Sequence, residues 1–128
     1  MAIYSGDMHV DRKEQLQKIE DICLQNEVIR AVYDLKGSGT GFLGITDKRP
    51  IFFDRSLFKG KKSMVSLPYS RIACIASEDD KGIFLKPGFF ASDRLFVYPQ
   101  GLEPRGFEFR GADKAHQAHN LIMEYLLA

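Results

Sequence analysis

Residues 27–54, EVIRAVYDLKGSGTGFLGITDKRPIFFD, decide the fold. Ile29, Ala31, Tyr33 and Leu35 alternate with Val28, Arg30, Val32 and Asp34, the rhythm of a strand with one buried face. Gly37-Ser38-Gly39-Thr40-Gly41 is a turn, Phe42 to Thr46 a second strand, and Asp47-Lys48 a tight connection into a third strand, Arg49 to Asp54. Pro50 lacks an amide hydrogen, so this third strand lies at an edge or begins after it. Apolar runs joined by such short turns predict antiparallel pairing.

The same rhythm continues downstream. Residues 55–62 read as a polar loop ending in Lys59-Gly60-Lys61-Lys62, Ser63 to Leu67 as a strand, and Pro68-Tyr69-Ser70 as a kinked link. Arg71 to Ser77 and Arg94 to Tyr98 are strands, and Glu78 to Lys81 is a solvated turn. After Gln100 to Pro104 comes a last strand, Arg105 to Arg110, with Phe107 and Phe109 on one face. Beyond Gly111, residues 112–127 form a helix whose Ala115, Ala118, Ile122, Tyr125 and Leu126 share a face. Upstream, residues 1–10 read as an irregular lead and Asp11 to Gln25 as a short helix. Asp11 and Glu14 have capping-box spacing, and Leu16, Ile19, Ile22 and Cys23 make an apolar stripe. The prediction is a mainly β, α+β domain of about seven strands, strongly bent and partly open, capped by the last helix.

A length of 128 residues favours a single domain, 1–128, able to bury a core without disulfides or metal. The net charge of +1 argues against nucleic acid, where phosphate neutralisation supplies most of the affinity. Cys23 and Cys74 lack zinc-site spacing and are expected to be reduced, buried thiols. Residues 1–10 carry no basic or apolar leader pattern, and no run approaches the ~20 apolar residues of a membrane span. The expectation is a cytoplasmic protein.

Particular residues carry a resemblance. Glu27-Val28-Ile29, the run Gly41 to Arg49 followed by Ile51-Phe52-Phe53, the segment Leu67-Pro68-Tyr69-Ser70-Arg71-Ile72, and the helix after Phe107-Glu108-Phe109 resemble the bacterial pleckstrin-homology-like domains. These share a fold with eukaryotic PH and GRAM domains. The resemblance covers residues 27–127, leaving residues 1–26 as an added lead and helix. Pro50, where the family carries an aliphatic residue, and the enlarged connection 82–93 depart from the pattern. The resemblance implies a bent antiparallel sheet closed by a C-terminal helix, and a binding module for lipids, protein partners or self-assembly.

No catalytic constellation stands out. Gly37 to Gly41 runs into a strand, where a phosphate loop runs into a helix. His116 and His119 are three apart, but no further ligand is placed to complete a metal site. No Gly-x-Ser-x-Gly elbow occurs. Neither an enzyme nor a cofactor is predicted.

Two sets of residues remain as binding candidates. Phe84, Phe89 and Phe90, with Leu16 and Ile19 on the first helix, are candidate interface residues, the alternative for each being the chain's own core. They lead to the primary expectation of protein–protein interaction or homo-oligomeric assembly. Lys36, Lys59, Lys61 and Lys62 lie at turns that open at the same end of a PH-like sheet. If they converge, they hold an anionic lipid headgroup or another phosphorylated ligand, at ~1 kcal/mol per lysine near an anionic surface. That alternative makes the protein peripheral at the membrane surface.

Overall fold

A computed structural model describes residues 3–36, 41–58, 61–79, 93–111 and 113–128. In chain order these form β1 (Ile3–Val10), α1 (Lys13–Ile22), β2 (Val28–Lys36), β3 (Phe42–Thr46), β4 (Pro50–Phe58) and β5 (Lys61–Ser66). A 3-10 turn over Tyr69–Arg71 follows, then β6 (Ile72–Asp79), β7 (Asp93–Pro99), β8 (Arg105–Phe109) and α2 (Lys114–Leu126). The sheet has 8 strands in the order β5-β4-β3-β2-β8-β7-β6, with β1 paired to β2 off that path. All pairs are antiparallel except β1 with β2.

β2 is the hinge of the sheet. Its body pairs with β3, whereas Leu35 and Lys36 pair with Phe109 and Glu108 of β8. The two halves fold toward each other around Tyr33, Leu43, Ile45, Phe52, Leu95 and Phe109, all fully or nearly fully buried. Phe52 of β4 stacks on Phe107 of β8, with ring centroids 4.2 Å apart. Ala115, Ala118 and Ile122 of α2 close this core, so the face expected of the last helix is the one that packs. The predicted bent sheet with a capping helix is therefore the observed fold.

A second core lies on the opposite face of the sheet. Ile19 of α1 packs there with Ile29, Val32, Phe42 and Ile51. The middle of β2 is consequently buried on both faces, not on one as the alternation predicted. Ile29 also changes sides relative to that prediction. A bulge between Ile29 and Ala31 shifts the register against β3, which turns Ile29 toward α1 while Ala31, Tyr33 and Leu35 face α2.

Other expectations are corrected. Residues 3–10 of the lead are a strand, held by parallel pairing to β2. α1 begins at Lys13 with Arg12 as N-cap and no side-chain cap bond, so the Asp11/Glu14 capping box does not form. Asp11 is used elsewhere: its carboxylate accepts from the Asp34 amide (2.9 Å), Lys114 Nζ (2.8 Å) and His9 Nε2 (2.8 Å). Burial opposes ionisation of Asp11, but these donors outweigh it and hold its pKa below the usual value. The loop expected at 55–62 is mostly strand, the ends of β4 and β5. Pro50 opens β4, which is an interior strand. Glu78 belongs to β6, not to a turn.

Candidate functional site

Much of the quoted stretch 27–54 is consumed by the fold itself. The Glu27 carboxylate is fully buried and receives the Arg49 guanidinium through Nε (3.1 Å) and Nη2 (3.2 Å). It also accepts from the Thr46 hydroxyl and the Leu24 amide. Arg49 reaches further, to the Ile22 carbonyl (3.0 Å) and Ser66 Oγ (2.8 Å), tying the end of α1 to β4 and β5. Thr46 Oγ1 accepts from the amides of Lys48 and Arg49, and Asp47 Oδ1 from the amide of Val28. Burial alone would raise the Glu27 pKa, but Arg49, Thr46 and Leu24 together hold it below the ordinary glutamate value. The Thr46 to Arg49 motif forms a turn and a buried ion pair. Tyr69 continues the pattern, donating to the Thr46 carbonyl at 2.6 Å and stacking on Tyr125 of α2.

The predicted basic site is described only in part. Lys36 is half-buried at the end of β2, opposite Glu108 of β8. Lys59 lies outside the described residues, as do the side chains of Lys61 and Lys62, whose backbone opens β5. The antiparallel register places the end of β2, the end of β4 and the start of β5 at one end of the sheet. Two further cations stand near that end but are engaged: Arg110 Nε (2.9 Å) and Arg12 Nε (3.5 Å) both meet Asp34, which also accepts from Gln15.

Of the predicted interface residues, Phe84, Phe89 and Phe90 lie outside the described residues. Ile19 is 0% exposed, with its side chain seated over Gly44 of β3, and Leu16 packs partly buried beside the same cluster. The first helix therefore docks on its own sheet, and Ile19 is core instead of interface. Leu24, just beyond α1, is 63% exposed.

A surface that sequence reading missed runs between β6 and α2. One part, a cleft of about 460 Å³, is lined by Ile72, Ala73 and Cys74 on one side and Met123, Leu126 and Leu127 on the other. The next part, about 340 Å³, is lined by Ser77, Glu78, Asp93, Asp113 and His116. The Ser77 hydroxyl and His116 Nδ1 are 3.1 Å apart, and His116 stacks on His119. Among the described residues, no three His, Cys, Asp or Glu gather in a way that could hold a metal. A third cleft of about 290 Å³ lies between β1 and α2, where His9 stacks on Tyr33 beside Arg30, Asn120 and Glu124. Here the Tyr33 hydroxyl is pushed up to about 12 by burial, then by Asp11.

The cysteines divide. Cys74 is exposed in the β6–α2 cleft, a correction to the buried thiol expected there, whereas Cys23 is half-buried under α1. Burial, followed by the Glu27 carboxylate, pushes the Cys23 thiol up to about 11. The thiolate is the reactive form. An excess of a chromogenic disulfide reagent at mildly alkaline pH is therefore expected to modify Cys74 rapidly, and Cys23 only after denaturant is added. Rapid modification of both in the native protein would contradict the packing of α1.

No family profile matches this chain. It is 35% identical over 74 residues to the uncharacterised protein YozO of Bacillus subtilis (strain 168). That match spans 58% of this chain and 62% of the relative, under two thirds of the relative's length. Among solved structures, it is similar to the pleckstrin homology domain from Shewanella amazonensis SB2B, with a TM-score of 0.65 and 22% identity over 92% of this chain and 100% of that one. It is also similar to a protein with a pleckstrin-homology domain from Shewanella loihica PV-4, with a TM-score of 0.64 and 21% identity over 88% and 91% of the two chains. At these identities the likeness is one of fold.

Proposed function

Starting from a pleckstrin-homology-like fold with β6 at the end of its strand order, we propose that the protein is a non-enzymatic binding module for polypeptides, either a second copy of itself or another protein. The observation that carries this reading is the β6–α2 surface. An edge strand is a template for further strands, and this one, with a neighbour on one side only among the described strands, borders a cleft in whose lining Leu127 is 77% exposed. Large apolar side chains gathered at a surface cleft favour a covering partner. A fold of this kind hosts many tasks, so the reading rests on this surface more than on the fold.

Anionic lipid or another phosphorylated ligand is the second reading. It is favoured by the shared sheet end that carries Lys36 and the backbone of Lys61 and Lys62. Contacts of that kind weaken over a Debye length as salt rises. No helix among the described residues is long and apolar enough to cross a membrane.

Light scattering over a concentration series, at low and high salt, tests the first reading in its self-assembling form. The expected result is a mass that rises with concentration and survives high salt, because apolar burial is not screened. A monomer throughout removes self-assembly. Salt-sensitive sedimentation with anionic vesicles, lost when Lys36, Lys59, Lys61 and Lys62 are replaced by Gln, would transfer the proposal to the lipid reading.

A further inference from the structure

The cleft between β1 and α2 serves neither reading of the function. One wall is a single stripe of α2, made by Gln117, Asn120, Leu121 and Glu124 at helical spacing. Asp7 and His9 of β1 form the other wall, with Arg30 and Tyr33 of β2 between them.

Tyr33 sets this cleft apart. It is 1% exposed, yet no group among the described residues bonds to its hydroxyl, and that oxygen is not sealed inside the core. A buried hydroxyl without a partner costs stability, so packing gives no reason for Tyr over Phe at this position. With its pKa pushed up to about 12, the hydroxyl keeps its proton at neutral pH and offers a donor. His9 stacks on the Tyr33 ring at 4.9 Å, and its own side chain is 38% exposed. Asp11 is held as a carboxylate and can only accept, so His9 Nε2 donates to it and the neutral ring keeps Nδ1 as an acceptor.

Charge and size narrow the ligand. Arg30 is engaged by Glu124 at 3.0 Å and by the Tyr125 hydroxyl at 2.8 Å. Asp7 is exposed and pairs with no cation among the described residues. The lining with neutral His9 is therefore net negative and disfavours a phosphate or carboxylate. Gln117 and Asn120 are exposed amides, and an amide sets a donor beside an acceptor, the pattern that matches the edge of a nucleobase. Asn120 Oδ1 meets His119 Nδ1 at 3.1 Å, which leaves the Asn120 NH2 group for a ligand. A volume of about 290 Å³ lies at the lower limit of small-molecule sites, which suits a ring system without phosphates.

We infer that the β1–α2 cleft binds an uncharged planar heterocycle with an amide-like edge, of the nucleobase class, which lies beside the His9 imidazole and bonds to the Tyr33 hydroxyl and the side-chain amides of Gln117 and Asn120. This site is separate from the polypeptide-binding reading and uses different residues.

The test is a titration of the full 15N-labelled chain, followed by NMR, with adenosine, guanosine, cytidine and uridine, each beside its 5′-monophosphate. At least one nucleoside is expected to shift the amides of residues 7–9, 30–33 and 117–124 saturably, and to bind more tightly than its monophosphate. Tyr33→Phe should melt no earlier than the parent and bind about fivefold more weakly, the scale of one hydrogen bond. Asn120→Ala, on the exposed face of α2, should weaken binding to a similar degree, and it decides the matter should Tyr33→Phe fail to fold. The inference is overturned if no nucleoside shifts these amides up to its solubility, if the monophosphate binds at least as tightly, or if either folded variant binds undiminished. A Tyr33→Phe chain that folds but melts well below the parent would assign the hydroxyl to the fold and overturn it equally.

Discussion

Arg49→Met is expected to destabilise the protein by about 3–5 kcal/mol, the cost of leaving a buried charge without its partner. Glu27 is fully buried, and Arg49 is its cation, meeting both carboxylate oxygens. The loss extends beyond the pair, because the same guanidinium also holds the Ile22 carbonyl and the Ser66 hydroxyl. Arg49→Lys keeps the charge but cannot reproduce the planar fork, so it should recover part of the loss. Urea unfolding at neutral pH measures all three proteins. A midpoint for Arg49→Met equal to that of the parent would mean that the pair contributes nothing.

The same pair sets a pH dependence. The folded-state pKa of Glu27 lies below its unfolded value, so the contribution of Glu27 is complete above the ordinary value of 4.5 and is lost as the pH falls through the folded pKa. Asp11 acts in the same direction below its ordinary 3.8. Stability is expected to decline on acidification below these values, and Glu27→Gln should make that decline shallower by the Glu27 share. An unchanged slope would assign the acid sensitivity to other carboxylates.

Ile19→Ala should cost about 2–5 kcal/mol, the range for truncating a fully buried aliphatic side chain. Ile19 lies between α1 and the sheet, and a Cβ built on Gly44 would fall 2.5 Å from its Cδ1 and 2.9 Å from its Cγ1. Gly44→Ala alone should therefore destabilise as well, by about 1–3 kcal/mol of overpacking. In the Ile19→Ala background the clashing atoms are absent, and the added methyl group fills part of the cavity. The double variant should be more stable than the sum of the single losses predicts, with a coupling of about 0.5–3 kcal/mol. Chemical denaturation of the four proteins closes the cycle. Were Ile19 an interface residue, truncation would instead change the oligomeric mass and leave the monomer's stability nearly intact, without coupling to Gly44.

The elements legible in the chain are those built by neighbours in sequence. β3 was expected over the residues it occupies, and β7, β8 and α2 come within two residues of their expected bounds at each end. Each is defined by its own periodicity and by a nearby turn, so local physics suffices. β1 was not legible. Its Ser5-Gly6-Asp7 stretch carries no apolar rhythm, and its partner β2 runs parallel to it, with α1 between them in the chain. The capping-box reading of Asp11 failed for a related reason: a carboxylate near a helix start can serve any donor that packing brings to it, and here Asp34 and Lys114 arrive from distant segments.

The candidate site divides along the same line. Net charge argued against nucleic acid, whereas the binding role and the shared end of the lysine-bearing turns followed from the resemblance and from the lack of a catalytic constellation. Which apolar residues are core and which are surface did not follow. Ile19 and Cys74 both sit in apolar stretches, yet one is packed over Gly44 and the other is exposed beside the β6–α2 cleft. Sequence by itself determined most of the strands after Glu27, their antiparallel meander and the closing helix, because hydrophobic period and turn chemistry act over a few residues. Tertiary structure alone decided the second core, the buried Glu27–Arg49 pair and the cleft between β6 and α2, because each depends on which segments, remote in sequence, are brought into register.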